Sequence, residues 1–239
     1  MIVAIHQPEH LPWLGFFDKM RRADLFVFLD HVPFRKNYFQ NRNRVRSASG
    51  ATWVTVPVLT KGHAYQPLNE VQINEQGSPR WKQKYWASVE QSYAGSPYWK
   101  EYAEGIRRCF ETPSPLLCDL NITLIEAMRQ AFGIEVQTAR SSALGVDGTR
   151  SELLLEICRK TGATEYLSGI SGKEYLDLDL FRAAGIRVEF QEFHHPLYRQ
   201  RYEPFMPLMS AVDLLFNHGA ESFDVLRGIG VEVIQEVFP

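Results

Sequence analysis

The feature that most constrains the fold is the opening stretch Met1–Asp30, MIVAIHQPEHLPWLGFFDKMRRADLFVFLD. Ile2 to Ile5 is a short β-branched apolar run, the pattern of a buried strand. It stops at His6-Gln7-Pro8, because Pro8 has no backbone N–H and biases Gln7 towards an extended conformation. Pro12 suits the first turn of a helix, where a missing N–H costs nothing. Trp13, Phe16, Phe17 and Met20 follow at three- and four-residue spacing, one apolar helical face. Leu25 to Leu29 is a second apolar run, closed by Asp30-His31. Strand, turn, helix and strand in this order form the unit that builds parallel sheets. His6 and Gln7 therefore fall just past the carboxyl end of a buried strand, where open α/β sheets bind ligands. The alternative for His6 is a structural histidine that caps the turn.

The second half continues the alternation. Strands are predicted at Ile134–Ala139, Thr164–Leu167 and Ile186–Phe193, and helices at Gly148–Thr161, Leu178–Ala184 and Leu208–His218. The fold class that follows is α/β, a doubly wound and mainly parallel sheet in a single domain spanning 1–239. Two stretches interrupt it. Residues 31–76 read as an inserted basic β-hairpin, with strands around Arg42–Arg46 and Ala51–Val58 joined at Ser49-Gly50. Residues 79–132 read as a helical segment, with a start signal at Ser78-Pro79 and another at Pro113-Ser114-Pro115. Its aromatic stripe of Trp81, Tyr85 and Trp86 has core spacing.

Composition narrows the class of protein. The chain is 45% hydrophobic and 23% charged with a net charge of −2, which speaks against dedicated nucleic-acid binding. No apolar run reaches the ~20 residues a membrane span needs. The N-terminus enters a strand at once, leaving no room for a signal peptide. Cys109, Cys118 and Cys158 show no metal-ligand spacing and read as reduced thiols, so a cytoplasmic location is expected.

Five polar segments follow the predicted strands: His6-Gln7, Asp30-His31, Arg140-Ser141, Ser168 to Lys173 and His194-His195. A parallel sheet opens all five on one edge, so His6, Asp30, Ser168 and His194 are expected to line one cleft. SGISGK at Ser168–Lys173 is not a phosphate loop of the Walker type, whose glycines are further apart and whose lysine precedes Ser or Thr. Ser168, Gly169, Ser171, Gly172 and Lys173 before a helix still suit an anion. Arg42, Arg44 and Arg46, at period two on a strand, share one face and offer a second phosphate or carboxylate contact, supported by Arg35, Lys36 and Lys61. A solvated basic face is the plain alternative. HQPEH has the His-x-x-Glu-His spacing of one zinc peptidase class, but Pro8 directly after a strand denies it the helix that chemistry needs.

HQPEHLPWLGFFDKM, ADLFVFLDHVPF and FQNRNRVRS, with WVTVPV at Trp53–Val58, YLSGISGKEYL at Tyr166–Leu176 and SAVDLLFNHG at Ser210–Gly219, resemble the WbqC-like family nearly end to end. That is a bacterial family associated with surface-polysaccharide and O-antigen biosynthesis. The chain has Glu9-His10 where members commonly have Asn-Tyr. The resemblance implies a transferase in surface-glycan biosynthesis, and an acyl or aminoacyl (glycyl) transfer to a nucleotide-linked amino sugar is the expected reaction. In that scheme His6 is the general base and Asp30 orients it or a substrate hydroxyl. Gln7, His194, the three arginines and the 168–173 turn bind a nucleotide-linked sugar or another phosphorylated small molecule, and an acyl or aminoacyl carrier is the second partner. This reading names no cofactor. Two alternatives stand beside it: a nucleotidylyltransferase-like enzyme, for which Mg²⁺ would be the cofactor, and a non-catalytic ligand-binding or assembly protein.

Overall fold

The computed structural model describes residues 1–60, 65–111 and 114–234. Lys61 and Pro113 lie outside the described residues. In chain order the elements are β1 (Ile2–His6), α1 (Leu14–Arg21), β2 (Leu25–Phe28), β3 (Arg42–Ser47), β4 (Gly50–Thr55), α2 (Trp81–Tyr93), α3 (Trp99–Arg108) and α4 (Leu117–Ala131). They continue as β5 (Gln137–Arg140), α5 (Arg150–Thr161), β6 (Glu165–Ser168), α6 (Leu178–Ala183), β7 (Arg187–Phe190), β8 (His195–Pro196), α7 (Val212–His218), α8 (Ser222–Leu226) and β9 (Val233–Ile234).

Five strands form one sheet in the order β5-β2-β1-β6-β7, every neighbouring pair parallel. This is the doubly wound α/β fold that the alternating pattern predicts. The chain builds outward from β1 through β2 to β5, then crosses back over β1 to β6 and β7. The direction of winding therefore reverses between β1 and β6, and their carboxyl ends, His6 and Ser168, flank the switch point.

Side-chain alternation divides the core. Val3, Ile5, Val27 and Tyr166 pack under α5 and α6 with Leu153, Leu154, Ile157 and Phe181. Ala4, Phe26, Phe28 and Leu167 face the other way, onto α1, and that core continues without a break into α2, α3, α4 and α7. The hairpin β3–β4 pairs Arg44 with Trp53 and Arg42 with Thr55. Leu14 to Met20 is buried along its whole length, including Asp18 and Lys19. With seven of its eight residues buried the helix has almost no solvent face, so Asp18 and Lys19 must find uses inside. Gly15 makes the first turn of α1 possible, since a Cβ there would lie 2.4 Å from the Trp13 ring.

The sequence reading places the strands and helices within a few residues of their observed ends. It starts the fifth core strand three residues early and the last long helix four residues early. It misses the two-residue pairing of β8 with β9, which is too short to carry a pattern.

Candidate active site

Past β1 the backbone leaves the sheet at Gln7-Pro8 and is fixed by a buried polar network. The His10 N–H donates to Phe39 O at 2.8 Å. Asn121 of α4 donates from Nδ2 to Pro8 O and to Gln40 O, which orients its amide, and its Oδ1 accepts from His10 Nδ1 at 2.9 Å. His10 Nε2 accepts from the Tyr85 hydroxyl at 2.7 Å. Both imidazole nitrogens of His10 are thus used inside the protein, so the zinc-like spacing of HQPEH is a coincidence of the turn. Burial pushes the His10 pKa down to about 4, opposed by Asn121, and keeps the ring neutral. Gln40 donates to Gln7 Oε1 at 2.5 Å, which turns the Gln7 amide N–H₂ towards open space. The helical segment therefore acts as a buttress for the residues after β1.

That open space is a cleft of about 850 Å³ at the switch point. Its floor is Ile5, Glu9, Lys19, Leu153, Leu154 and Tyr166, all buried. Arg35, Tyr38, Arg150, Ser171, Glu174 and Tyr175 form an exposed rim. His6 and Gln7 stand between floor and rim, half-buried.

His6 packs edge-on to Phe16 of α1, with ring centroids 4.9 Å apart. Its Nδ1 lies 3.0 Å from Gln7 O, an acceptor, so Nδ1 carries the proton and Nε2 keeps its lone pair. Nε2 has no partner among the described residues. Burial, helped by the Lys19 ammonium, brings the His6 pKa down to about 3. The ring is neutral at any physiological pH and its lone pair is always available, but it is a weak base.

Sequence reasoning did not single out Lys19, and it considered Glu9 only within the zinc-like HQPEH spacing that it set aside. Lys19 is 2% exposed and donates to Ile5 O at 3.1 Å. That carbonyl is open because β1 pairs with β6 only as far as Ala4. A Cβ on Gly169 would come within 3.9 Å of Lys19 Nζ, which places the amine between the two strand ends of the switch point. Burial lowers the Lys19 pKa to about 7, opposed by Glu9. Burial raises Glu9 to about 7, opposed by Lys19. No hydrogen bond or ion pair joins the two among the described residues, and Glu9 Oε2 is buried without a partner. The available signal was spacing: Lys19 lies three residues after Phe16, on the same side of α1.

The other predicted residues divide. Gln7, Gly169 and Ser171 line the cleft with His6. Ser168 is buried at its edge, with Oγ turned to Gly169 O at 3.1 Å. Gly172 supports that turn, since a Cβ there would meet Ser168 Oγ at 2.2 Å. The 168–173 turn leads into a 3₁₀ segment, Ile170–Glu174, where an α-helix was expected. Lys173 points away, 5.6 Å from the Phe190 ring.

Asp30 is wholly buried and does not line the cleft. It accepts from Ser141 Oγ (3.0 Å), Ser142 N–H (2.9 Å) and Ser142 Oγ (2.7 Å), and so ties the end of β2 to the end of β5. His194 is exposed beyond β7 and outside the cleft lining.

Arg42, Arg44 and Arg46 also lie outside it. Arg42 stacks 4.4 Å from the Trp53 ring and donates to Asn37 O; Arg44 lies 5.7 Å from the same ring and donates to Leu208 O. Arg46, 2% exposed, donates to Ser47 O and Pro204 O. The cations that do reach the cleft rim are Arg35 and Arg150. Arg150 opens the twelve-residue helix α5 with a positive φ of 52°. Among the described residues no cluster of three or more His, Cys, Asp or Glu side chains could hold a metal ion. No helix among them is long and apolar enough to cross a membrane.

The WbqC-like protein family model matches residues 7–225, which takes in the β1 turn, the buttress, the switch point and α7. The chain belongs to the WbqC-like family. The uncharacterized protein Rv1507c of Mycobacterium tuberculosis is 34% identical over 227 residues, covering 94% of this chain and 97% of that protein. No solved structure matches the present chain. The residues that the family model matches include every residue of the cleft except Ile5 and His6, which lie immediately before them.

Proposed function

We propose that this WbqC-like protein is a transferase that moves an acyl or aminoacyl group, such as glycyl, onto the amine of a nucleotide-linked amino sugar in surface-glycan biosynthesis. The observation that carries the reading is the layout of the switch-point cleft. An exposed cationic and aromatic rim leads down to a proton-accepting floor. Arg35 and Arg150 meet the diphosphate, with the N-terminal end of α5 adding its dipole. Tyr38 or Tyr175 stacks on the base or sugar, since 44% and 54% of their surfaces are open. Gln7 N–H₂ donates to a sugar hydroxyl or to the donor carbonyl.

The amine then reaches His6, whose Nε2 accepts one N–H and holds the nitrogen lone pair on the acyl carbon. The C–N bond forms as the bond to the carrier breaks. His6, with a pKa of about 3, aligns the amine but does not retain its proton. Asp30, locked onto Ser141 and Ser142, serves this scheme by fixing the strand ends rather than by touching His6.

The test is a mass-spectrometric assay of nucleotide-linked amino sugars incubated with acyl-coenzyme A, acyl-carrier and aminoacyl-tRNA donors. The expected result is a sugar nucleotide heavier by one acyl group, formed more slowly by His6→Ala, which loses the group that aligns the amine. Failure of every donor–acceptor pair overturns the reading. Release of pyrophosphate from a nucleoside triphosphate would replace it with nucleotidyl transfer.

A further inference from the structure

Amine acylation sheds a proton from nitrogen, and the departing oxygen or sulfur of the carrier needs one. We propose that Lys19, with its amine at the floor of the cleft between the ends of β1 and β6, is the shuttle that carries that proton. This deepens the transferase reading and rests on it. In the balanced step, the sugar nitrogen attacks the acyl carbon and the C–N bond forms. The Lys19 amine takes the nitrogen's proton and becomes an ammonium. The C–O or C–S bond to the carrier breaks, and the ammonium returns the proton to the leaving atom. Lys19 ends neutral as it began, and no further reactant is consumed.

Three observations support the assignment. Lys19 is nearly sealed from solvent yet lines the cleft, so its position serves the cavity rather than the surface. Only one of its donor positions is used, on Ile5 O, among the described residues. Glu9, buried in the same floor, leaves Oε2 unpartnered and does not lock the amine into an ion pair. A lysine kept purely for structure would be expected to hold a carboxylate directly, because a lone buried ammonium is costly. Burial then sets the amine near neutrality, where it can both take and return a proton.

The titratable and charged groups facing the pair are His6 from β1, Arg35 and Tyr38 from the segment after β2, Arg150 from α5, Tyr166 from β6, and Glu174 and Tyr175 from the turn beyond. Of these surroundings, burial lowers the Lys19 pKa and the Glu9 carboxyl opposes it.

The experiment has two readouts on the full chain. Acetic anhydride is the probe for the first: the rate of acetylation at Lys19, read by peptide mass spectrometry across pH, is expected to reach half its plateau near pH 7. In Glu9→Gln the midpoint should move lower. A midpoint above about 9, matching the exposed lysines, overturns the proposal. The second is turnover of Lys19→Met in the transfer assay, expected to lose ~10²–10⁴ in kcat with KM for the sugar nucleotide little changed. Circular dichroism melting confirms that the variant is folded, and Lys19→Gln provides a second neutral side chain. Turnover within threefold of wild type in either folded variant overturns the shuttle and leaves the transferase reading standing. Absence of transfer by the wild-type protein overturns that reading itself.

Discussion

Replacing Lys19 with methionine should stabilise the protein, and the gain should depend on pH in a defined way. The Lys19 pKa falls from 10.5 in the unfolded chain to about 7 in the fold. Each pKa unit is worth ~1.4 kcal/mol, so housing the ammonium costs on the order of 4–5 kcal/mol below pH 7. The sign follows from proton counting. Between pH 7 and 10.5 the unfolded chain binds more protons at this site than the folded one, so wild-type stability rises with pH across that window. Below pH 7 the cost is fully present; near 10.5 it has vanished. Methionine removes it at similar volume but leaves Ile5 O without its donor, a loss of ~1–3 kcal/mol. The net gain at pH 6 is about 2 kcal/mol, or roughly 4–8 °C in a chain of this size. At pH 6 Glu9, with its own pKa near 7, is mostly protonated in both proteins, so the comparison is clean. Denaturant or thermal unfolding of both proteins at pH 6, 8 and 9.5 measures the gain. The reasoning is refuted if Lys19→Met melts below wild type at pH 6, or if the difference is the same at pH 6 and 9.5.

Asp30→Ala should destabilise by at least ~3 kcal/mol, about 6–12 °C in melting temperature, because three donors lose a buried acceptor. Melting curves check this. Arg42→Ala with Arg44→Ala should cost ~1–2 kcal/mol through lost stacking on Trp53, with sugar-nucleotide affinity changed less than about twofold at low or high salt, as titration calorimetry would show. Cys118 and Cys158, whose thiols burial pushes up to about 12, should resist iodoacetamide at pH 8 in the native protein and react once it is unfolded.

The sheet was legible because each core strand is a short apolar run between polar turns, and because helices separate them. Edge strand β5, QTAR, carries no such run, which is why its start was misplaced. The cleft was half legible. His6, Gln7 and Gly169 follow from strand ends alone, since topology gathers strand ends. Asp30 and Arg42 occupy the kind of position the pattern indicates, but their partners decide their use. Ser141-Ser142 arrives beside Asp30 only because β5 pairs with β2, and Trp53 arrives beside the arginines only through the hairpin register. Lys19 and Arg150 went unread for the same reason. A lysine in a helix is normally a solvent residue, and only the packing of α1 under the sheet and buttress turns this one inward. Arg150 reaches the rim because the crossover from β5 to β6 brings the start of α5 over the switch point.

The most direct test of the central claim, that the switch-point cleft is a site for a nucleotide-linked amino sugar, is thermal stabilisation by that ligand class in wild type and in an Arg35→Ala/Arg150→Gly double variant. Glycine suits the positive φ at 150, so the variant should melt close to wild type without ligand. Uridine diphosphate N-acetylglucosamine and its free-amine counterpart, uridine diphosphate glucosamine, serve as probes. The account predicts a dose-dependent rise in wild-type melting temperature, by about 2.7 kcal/mol of stabilisation at a hundredfold excess over Kd. It predicts that the same concentrations leave the double variant nearly unmoved. Equal stabilisation of both proteins, or none in either across nucleotide-linked amino sugars, would contradict it.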